Sequence, residues 1–181
     1  MNMQQTKIET LAENQNSKPV FDMKWWKGIF ITNVTCGGRQ PMTDFEHRSD
    51  KPDFVIGAAG LSKGAYVFGG GISAKGHTAR RAVYIDWKDF GVPDLTKLWW
   101  ADLYESIESI KPRHIHVQCM GGMGRTGTIL TILLILSRQG KKDAFKSVTD
   151  AINHIRSNGN PHAVETNEQR AYIGKMTGLP L

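Results

Sequence analysis

Cys119, Arg125 and Thr126 stand in the pattern C-x5-R-[ST], and every residue between the first two is glycine or methionine: Met120, Gly121, Gly122, Met123, Gly124. The residues before them read as a short buried strand over 115–118, and the apolar run after them predicts a helix from Thr126 to Ser137. A strand feeding a glycine-rich loop and a helix start makes an anion site. The first N–H groups of a helix have no internal partner, and the macrodipole favours negative charge there. Glycines let successive N–H groups curl inward as a nest. Met120, Gly121, Gly122, Met123, Gly124 and Arg125 are therefore the expected phosphate-binding residues.

Two other motifs overlap this loop and fit it less well. Gly122 to Gly127 matches G-x-G-x-x-G, but a dinucleotide fold needs a second strand ending in an acidic residue about 20 positions on. Asp143 has that spacing, yet residues 129–157 read as helix. A nucleoside triphosphate P-loop would place Gly at Cys119 and Lys at Arg125. The C-x5-R-[ST] pattern fits without defect and carries its own chemistry, phosphomonoester hydrolysis through a phosphocysteine. An ordinary thiol, with a pKa of about 8.5, is a weak nucleophile at neutral pH, whereas a helix N-terminus and a nearby cation favour the thiolate. The planar fork of Arg125 can hold two phosphoryl oxygens at once, which Lys cannot. The transferred phosphoryl spreads charge over three equatorial oxygens, so a ring of N–H donors with one guanidinium suits it. Thr126 is placed to hydrogen-bond the sulfur and improve it as a leaving group.

With these residues the sequence resembles the cysteine-dependent protein tyrosine and dual-specificity phosphatases. Trp87-Lys88-Asp89-Phe90-Gly91-Val92-Pro93 is similar to the family's W-P-D-F-G-V-P loop, with Lys88 in place of Pro. The resemblance implies that Asp89 is the general acid. Val164-Glu165-Thr166-Asn167-Glu168-Gln169 is similar to the [QE]-T-x-x-Q stretch, implying that Gln169 positions the hydrolytic water. The three motifs fall in the family's order between residues 82 and 175, with Gln118 where the family usually has His. The implied fold is α/β and compact, tyrosine-phosphatase-like, with a central mixed sheet flanked by helices and a helical C-terminal half. The chain length is closer to the compact dual-specificity, bacterial and viral members than to the receptor-type domains. The implied substrate is a phosphorylated protein, carrying either phosphotyrosine alone or phosphoserine and phosphothreonine as well, a choice that turns on pocket depth, and neither cofactor nor metal is implied. Related phosphoinositide phosphatases tend to carry basic residues in the loop, and this loop has no Lys or His. An RNA 5′-end or lipid phosphatase with the same residues, and a phosphate-binding pseudophosphatase, are the alternatives. The rival acids are Asp86 and Asp94, the latter expected as a helix N-cap. Asp89 also has a plain reading as a turn residue, and Gln169 as a helix surface residue.

These residues need elements to position them. Residues 1–20 read as a flexible polar segment and residues 21–181 as one phosphatase domain. Strands are expected over Trp25–Val34, Asp53–Ile56, Ala65–Phe68 and Ala82–Ile85, with loops over 35–52 and 69–76. From Asp94 onward Leu95, Leu98, Trp99, Leu103, Ile107 and Ile110 recur at helical spacing, and Pro112 ends that helix. Two further helices are predicted over 142–157 and 166–177, parted by Asn158-Gly159-Asn160-Pro161.

Composition agrees with a reducing, cytoplasmic setting, which a catalytic thiol requires. Of two cysteines, Cys36 lacks any catalytic context, so no disulfide framework is expected. No apolar run is long enough to span a membrane, and the N-terminus lacks the apolar core of a secretory signal. The formal charge of +6 suits anionic substrates or plain solubility. The basic residues are scattered and do not alternate with aromatics, so nucleic acid is not expected as a partner. No two of the six histidines stand at metal-ligand spacing.

Overall fold

The strand that ends in Cys119 is the middle strand of the sheet. The computed structural model describes residues 19–22, 33–38, 53–59, 81–158 and 160–181. In it β1 (Pro19–Asp22), β2 (Asn33–Gly38), β3 (Phe54–Ala59), β4 (Arg81–Asp86) and β5 (His114–Cys119) form one sheet in the order β1-β2-β5-β3-β4. β5 lies parallel to β2 and β3, β3 lies parallel to β4, and β1 runs antiparallel at the edge. The sheet is thus mixed. Every residue of β5 is buried, as expected for a parallel strand with neighbours on both sides. Ile115, Val117 and Cys119 face one way and join the apolar core, while His114, His116 and Gln118 face the other.

Among the described residues there are four helices, one before β5 and three after it: α1 (Lys97–Ile110), α2 (Gly124–Arg138), α3 (Val148–Ser157) and α4 (Asn167–Thr177). α2 is buried from Gly124 through Ile135, on every face. A helix that is apolar all round belongs inside a domain, and α2 contacts β5, α1, α3 and α4. Two of the three threonines inside the buried stretch return their hydroxyls to the preceding turn, Thr128 to the Gly124 carbonyl and Thr131 to the Gly127 carbonyl. The burial of Ile129, Leu130 and Leu133 on this helix contributes roughly 1.5–3 kcal/mol each. That packing fixes where the helix N-terminus points, and therefore where the expected anion site would sit.

Several boundaries differ from the sequence reading, each for a local reason. The first helix is capped by Thr96, whose hydroxyl accepts the Trp99 N–H at 3.2 Å, and Asp94 lies exposed before it. With the helix starting at Lys97, the buried face is Trp100, Leu103 and Ile107, and Leu98 points into solvent. The helix ends where Lys111 turns left-handed at φ 51°, and Pro112 cannot continue it. Thr35 to Gly38, read as loop, belong to β2 because they pair with His116 to Cys119 of β5. The helix expected over 142–157 begins only at Val148, where the Ser147 hydroxyl accepts the Asp150 N–H. The expectations for residues 1–18, for most of the strand 25–34, for the loop 39–52, for the strand 65–68 and for the loop 69–76 lie outside the described residues. Among the described residues no helix is long and apolar enough to cross a membrane.

The cap assignment is open to a direct check. Thr96→Ala should cost about 1 kcal/mol in urea unfolding, and Asp94→Ala should lie within about 0.5 kcal/mol of the parent. The reverse order would restore Asp94 as the cap.

Candidate active site

Cys119 ends β5 with its side chain 5% exposed, and its Sγ accepts the Gly122 N–H at 3.1 Å. Gly122 turns back to make this bond at φ 76°, in the left-handed region that glycine enters freely. The Gly122 carbonyl in turn accepts from Asn160 Nδ2 at 2.8 Å in a buried position. α2 begins two residues later, and its N-cap residue Met123 makes no side-chain cap bond. The N–H groups of the first turn are therefore free of their own helix's side chains, which is the condition for an anion site.

Arg125 lies in that first turn and is 3% exposed. Its Nη1 donates to the Trp87 carbonyl at 3.0 Å, and its Nη2 stands 2.9 Å from Asp89 Oδ1. The contact brings the loop after β4 against the loop after β5. Trp87 anchors the former: its indole is fully buried, and Nε1 donates to the Gly91 carbonyl at 2.7 Å, closing the turn over residues 88–90. Phe90 within that turn holds φ 60°, a conformation costly for a bulky residue and one that persists only where surrounding contacts enforce it. Asp89 itself projects outward, 60% exposed at the side chain.

A third segment closes the site. Residues 163–166 pass over the start of α2 so closely that a Cβ on Gly127 would stand 2.7 Å from Ala163 Cα and Val164 N. Arg156 holds this crossing by donating to the Ala163 and Val164 carbonyls, and Val164 adopts φ 62° there. Glu165 Oε2 then accepts the Gly124 N–H at 2.7 Å. Gln169 is fully buried, not a surface residue. Its Oε1 accepts from the Glu165 and Thr166 N–H groups in a capping box for α4, while Nε2 has no hydrogen-bond partner.

The structure thus brings Cys119, Arg125, Asp89 and the loop residues 120–124 together, with Gln169 beside Gly124. Thr126 is placed otherwise than expected: its hydroxyl is fully buried and makes no hydrogen bond, and the Gly122 N–H serves the sulfur instead. Gln118 is buried in register with Gly57 and Gly37, with its Oε1 unpartnered. Asn160, Glu165 and the Trp87 carbonyl were not singled out by sequence. Glu165 lay inside a recognised stretch, but Asn160 sits in a segment that reads only as a turn. Among the described residues no cluster of three or more His, Cys, Asp or Glu is placed to hold a metal ion.

Comparison with known proteins bears on this arrangement. The protein-tyrosine phosphatase family model matches residues 33–177. Human receptor-type tyrosine-protein phosphatase epsilon is 32% identical over 96 residues, covering 50% of this chain and 13% of that protein. The chain therefore spans a small part of the length of the receptor-type relatives it matches. The crystal structure of Tk-PTP in its active form superposes with a TM-score of 0.61 at 21% identity, over 80% of this chain and 91% of that one. That of PTPMT1 in complex with PI(5)P gives 0.60 at 15% identity, over 80% and 90%. At these identities the structural likeness speaks for the fold.

Gly127→Ala tests the crossing. Alanine is better than glycine in a helix by about 1 kcal/mol, but here its methyl would meet clamped backbone, where overpacking costs about 1–3 kcal/mol. The substitution should lower the melting temperature by several degrees. A rise would mean that residues 163–166 yield easily.

Proposed function

The chain belongs to the protein-tyrosine phosphatase family, and from that premise we propose that it hydrolyses phosphate monoesters on protein side chains through a phosphocysteine. The Cys119 thiolate attacks phosphorus in line, the bond to the leaving oxygen breaks, and Asp89 gives that oxygen a proton. The phosphoryl group on sulfur rests among the N–H groups of residues 120–125 and the Arg125 fork. Water positioned by Gln169 loses its proton to Asp89 and attacks phosphorus, the S–P bond breaks, and phosphate leaves. No step calls for a cofactor.

The observation that carries this reading is the pairing of Arg125 with both the Trp87 carbonyl and Asp89. It places the candidate acid against the residue that would hold the phosphoryl group, one loop away from the thiol. Substrate binding would draw the guanidinium onto phosphoryl oxygens and leave the Asp89 carboxyl next to the leaving group. A protein ester, phosphotyrosine first, is favoured by the character of the two loops. Phe90, Met120 and Met123 are exposed on them, and the nest itself carries no Lys or His. An aromatic ring suits such a rim better than a polyhydroxylated headgroup does. Phosphoserine and phosphothreonine extend the proposed range.

The test is hydrolysis of para-nitrophenyl phosphate in chelator, followed by a panel of phosphopeptides, a phosphoinositide and a triphosphate-ended RNA. Cys119→Ser should abolish turnover. Asp89→Asn should lower kcat by roughly 10²–10⁴-fold, and Arg125→Lys by about 10²–10³-fold. Turnover that survives the serine would overturn the phosphocysteine route. A wild type that binds phosphopeptide without turnover would make the chain a binding module, and faster hydrolysis of the RNA or the lipid would replace the protein ester.

A further inference from the structure

The Gly124 N–H, last of the nest before Arg125, is already engaged by an anion, and that anion belongs to the chain itself. Glu165 Oε2 accepts it at 2.7 Å from 41 positions away in sequence. The arrangement is specific in three ways. Met123 at the N-cap of α2 makes no side-chain cap bond, so Glu165 stands in the place of a cap. Only glycine at 124 permits the approach, because a Cβ there would overlap the Glu165 carboxylate. The Glu165 backbone is fixed, its N–H donating to Gln169 Oε1 at 2.9 Å and its predecessor Val164 held by Arg156. The residue as a whole is nonetheless exposed, and its bond to Gly124 is half-buried. A fixed backbone on an exposed residue leaves the side chain able to swing away without unfolding anything. Gln169 supplies an independent sign that this corner receives a ligand. Its fully buried Nε2 has no partner, and it would lie 3.0 Å from a Cβ on Gly124.

We infer that Glu165 is an internal competitor for the phosphoryl site, an inference that rests on the phosphatase reading of the loop. An ionised carboxylate is an acceptor only, as is a phosphoryl oxygen, and one N–H cannot serve both. A phosphate dianion entering the nest therefore displaces Glu165, and the displaced carboxylate repels it from close range. The consequence is a weakened affinity for substrate and for product phosphate alike. Glu165 sets the concentration at which the site fills and assists release of the product.

The test uses the full chain as wild type, Glu165→Gln and Glu165→Ala, with calorimetric titration of inorganic phosphate and of tungstate. Glutamine keeps the shape and removes the charge; alanine removes the acceptor as well. Both should bind the oxyanions more tightly, the glutamine by about tenfold, which is the low end of what a charge-assisted hydrogen bond contributes, and the alanine by at least as much. KM for para-nitrophenyl phosphate should fall by a similar factor. A purely structural cap predicts a lower melting temperature with oxyanion affinity unchanged or weaker in both variants, and that result overturns the competition. The binding arm needs no turnover. A wild type that binds phosphate but leaves the ester intact would refute hydrolysis without touching the competition.

Discussion

Arg125 carries a full positive charge into the protein at 3% exposure, and a charge placed there is costly unless it is paired and hydrogen-bonded. The guanidinium finds both requirements on the loop after β4, in the Trp87 carbonyl and the Asp89 carboxylate. That loop is consequently not free to wander. Its hinge residue Trp87 is locked into the core edge-on to Tyr172 of α4, and Tyr172 accepts from Trp100 of α1 at 2.8 Å. Three aromatic side chains from three elements hold the backbone carbonyl that a buried cation needs. The acid candidate gains its position from this arrangement even though its own side chain is largely solvated.

The loop after β5 is held from the opposite side by chain that comes after it. Asn160 ties down the Gly122 carbonyl, and Arg156 clamps the 163–164 crossing against Gly127. Among the described residues, two of the three non-glycine residues with positive φ, Phe90 and Val164, lie on the two segments that close over the nest. Strain of that kind, of order 1–3 kcal/mol a residue, survives only where surrounding contacts over-determine the backbone. Here the contacts are a buried indole and a bidentate arginine. The rigidity of the site is therefore a property of segments distant in sequence, and the loop's own glycines could not provide it.

This division explains what was legible in the sequence. The strand–loop–helix unit around Cys119 could be read because its signals are local: a buried strand, glycines, a continuous apolar helix and the spacing of Cys to Arg. The mixed sheet and helical C-terminal half followed from the same patterns, together with the family resemblance. Helix starts were misplaced where several capping residues compete. Asp94 and Thr96 both qualify, and only the packing of Trp100 against Tyr172 decides between them. The roles of Asn160 and Glu165 were not legible, because each depends on a contact with residues 38 or 41 positions away. The Thr126 hydroxyl was misread because the pattern fixes a residue type, whereas the helix turn fixes where its side chain points.

Each strong positive element of the site is matched by a carboxylate of the chain itself. Arg125 meets Asp89, and the Gly124 N–H at the start of α2 meets Glu165. The site is thus electrically matched from within, and a cation and a helix N-terminus lie close together with a carboxylate on each. On the proposed phosphatase reading, phosphate binding would be an exchange of anions rather than the filling of a positive hole. A bound dianion would set free two carboxylates at its margin, Asp89 at the leaving-group side and Glu165 on the side where Gln169 presents its unpartnered amide. The same exchange run backward would expel the product, because both carboxylates would regain their partners. Ground-state affinity would then be lowered by the contacts that handle protons and release, which is how binding energy is best distributed when turnover rather than retention is the task.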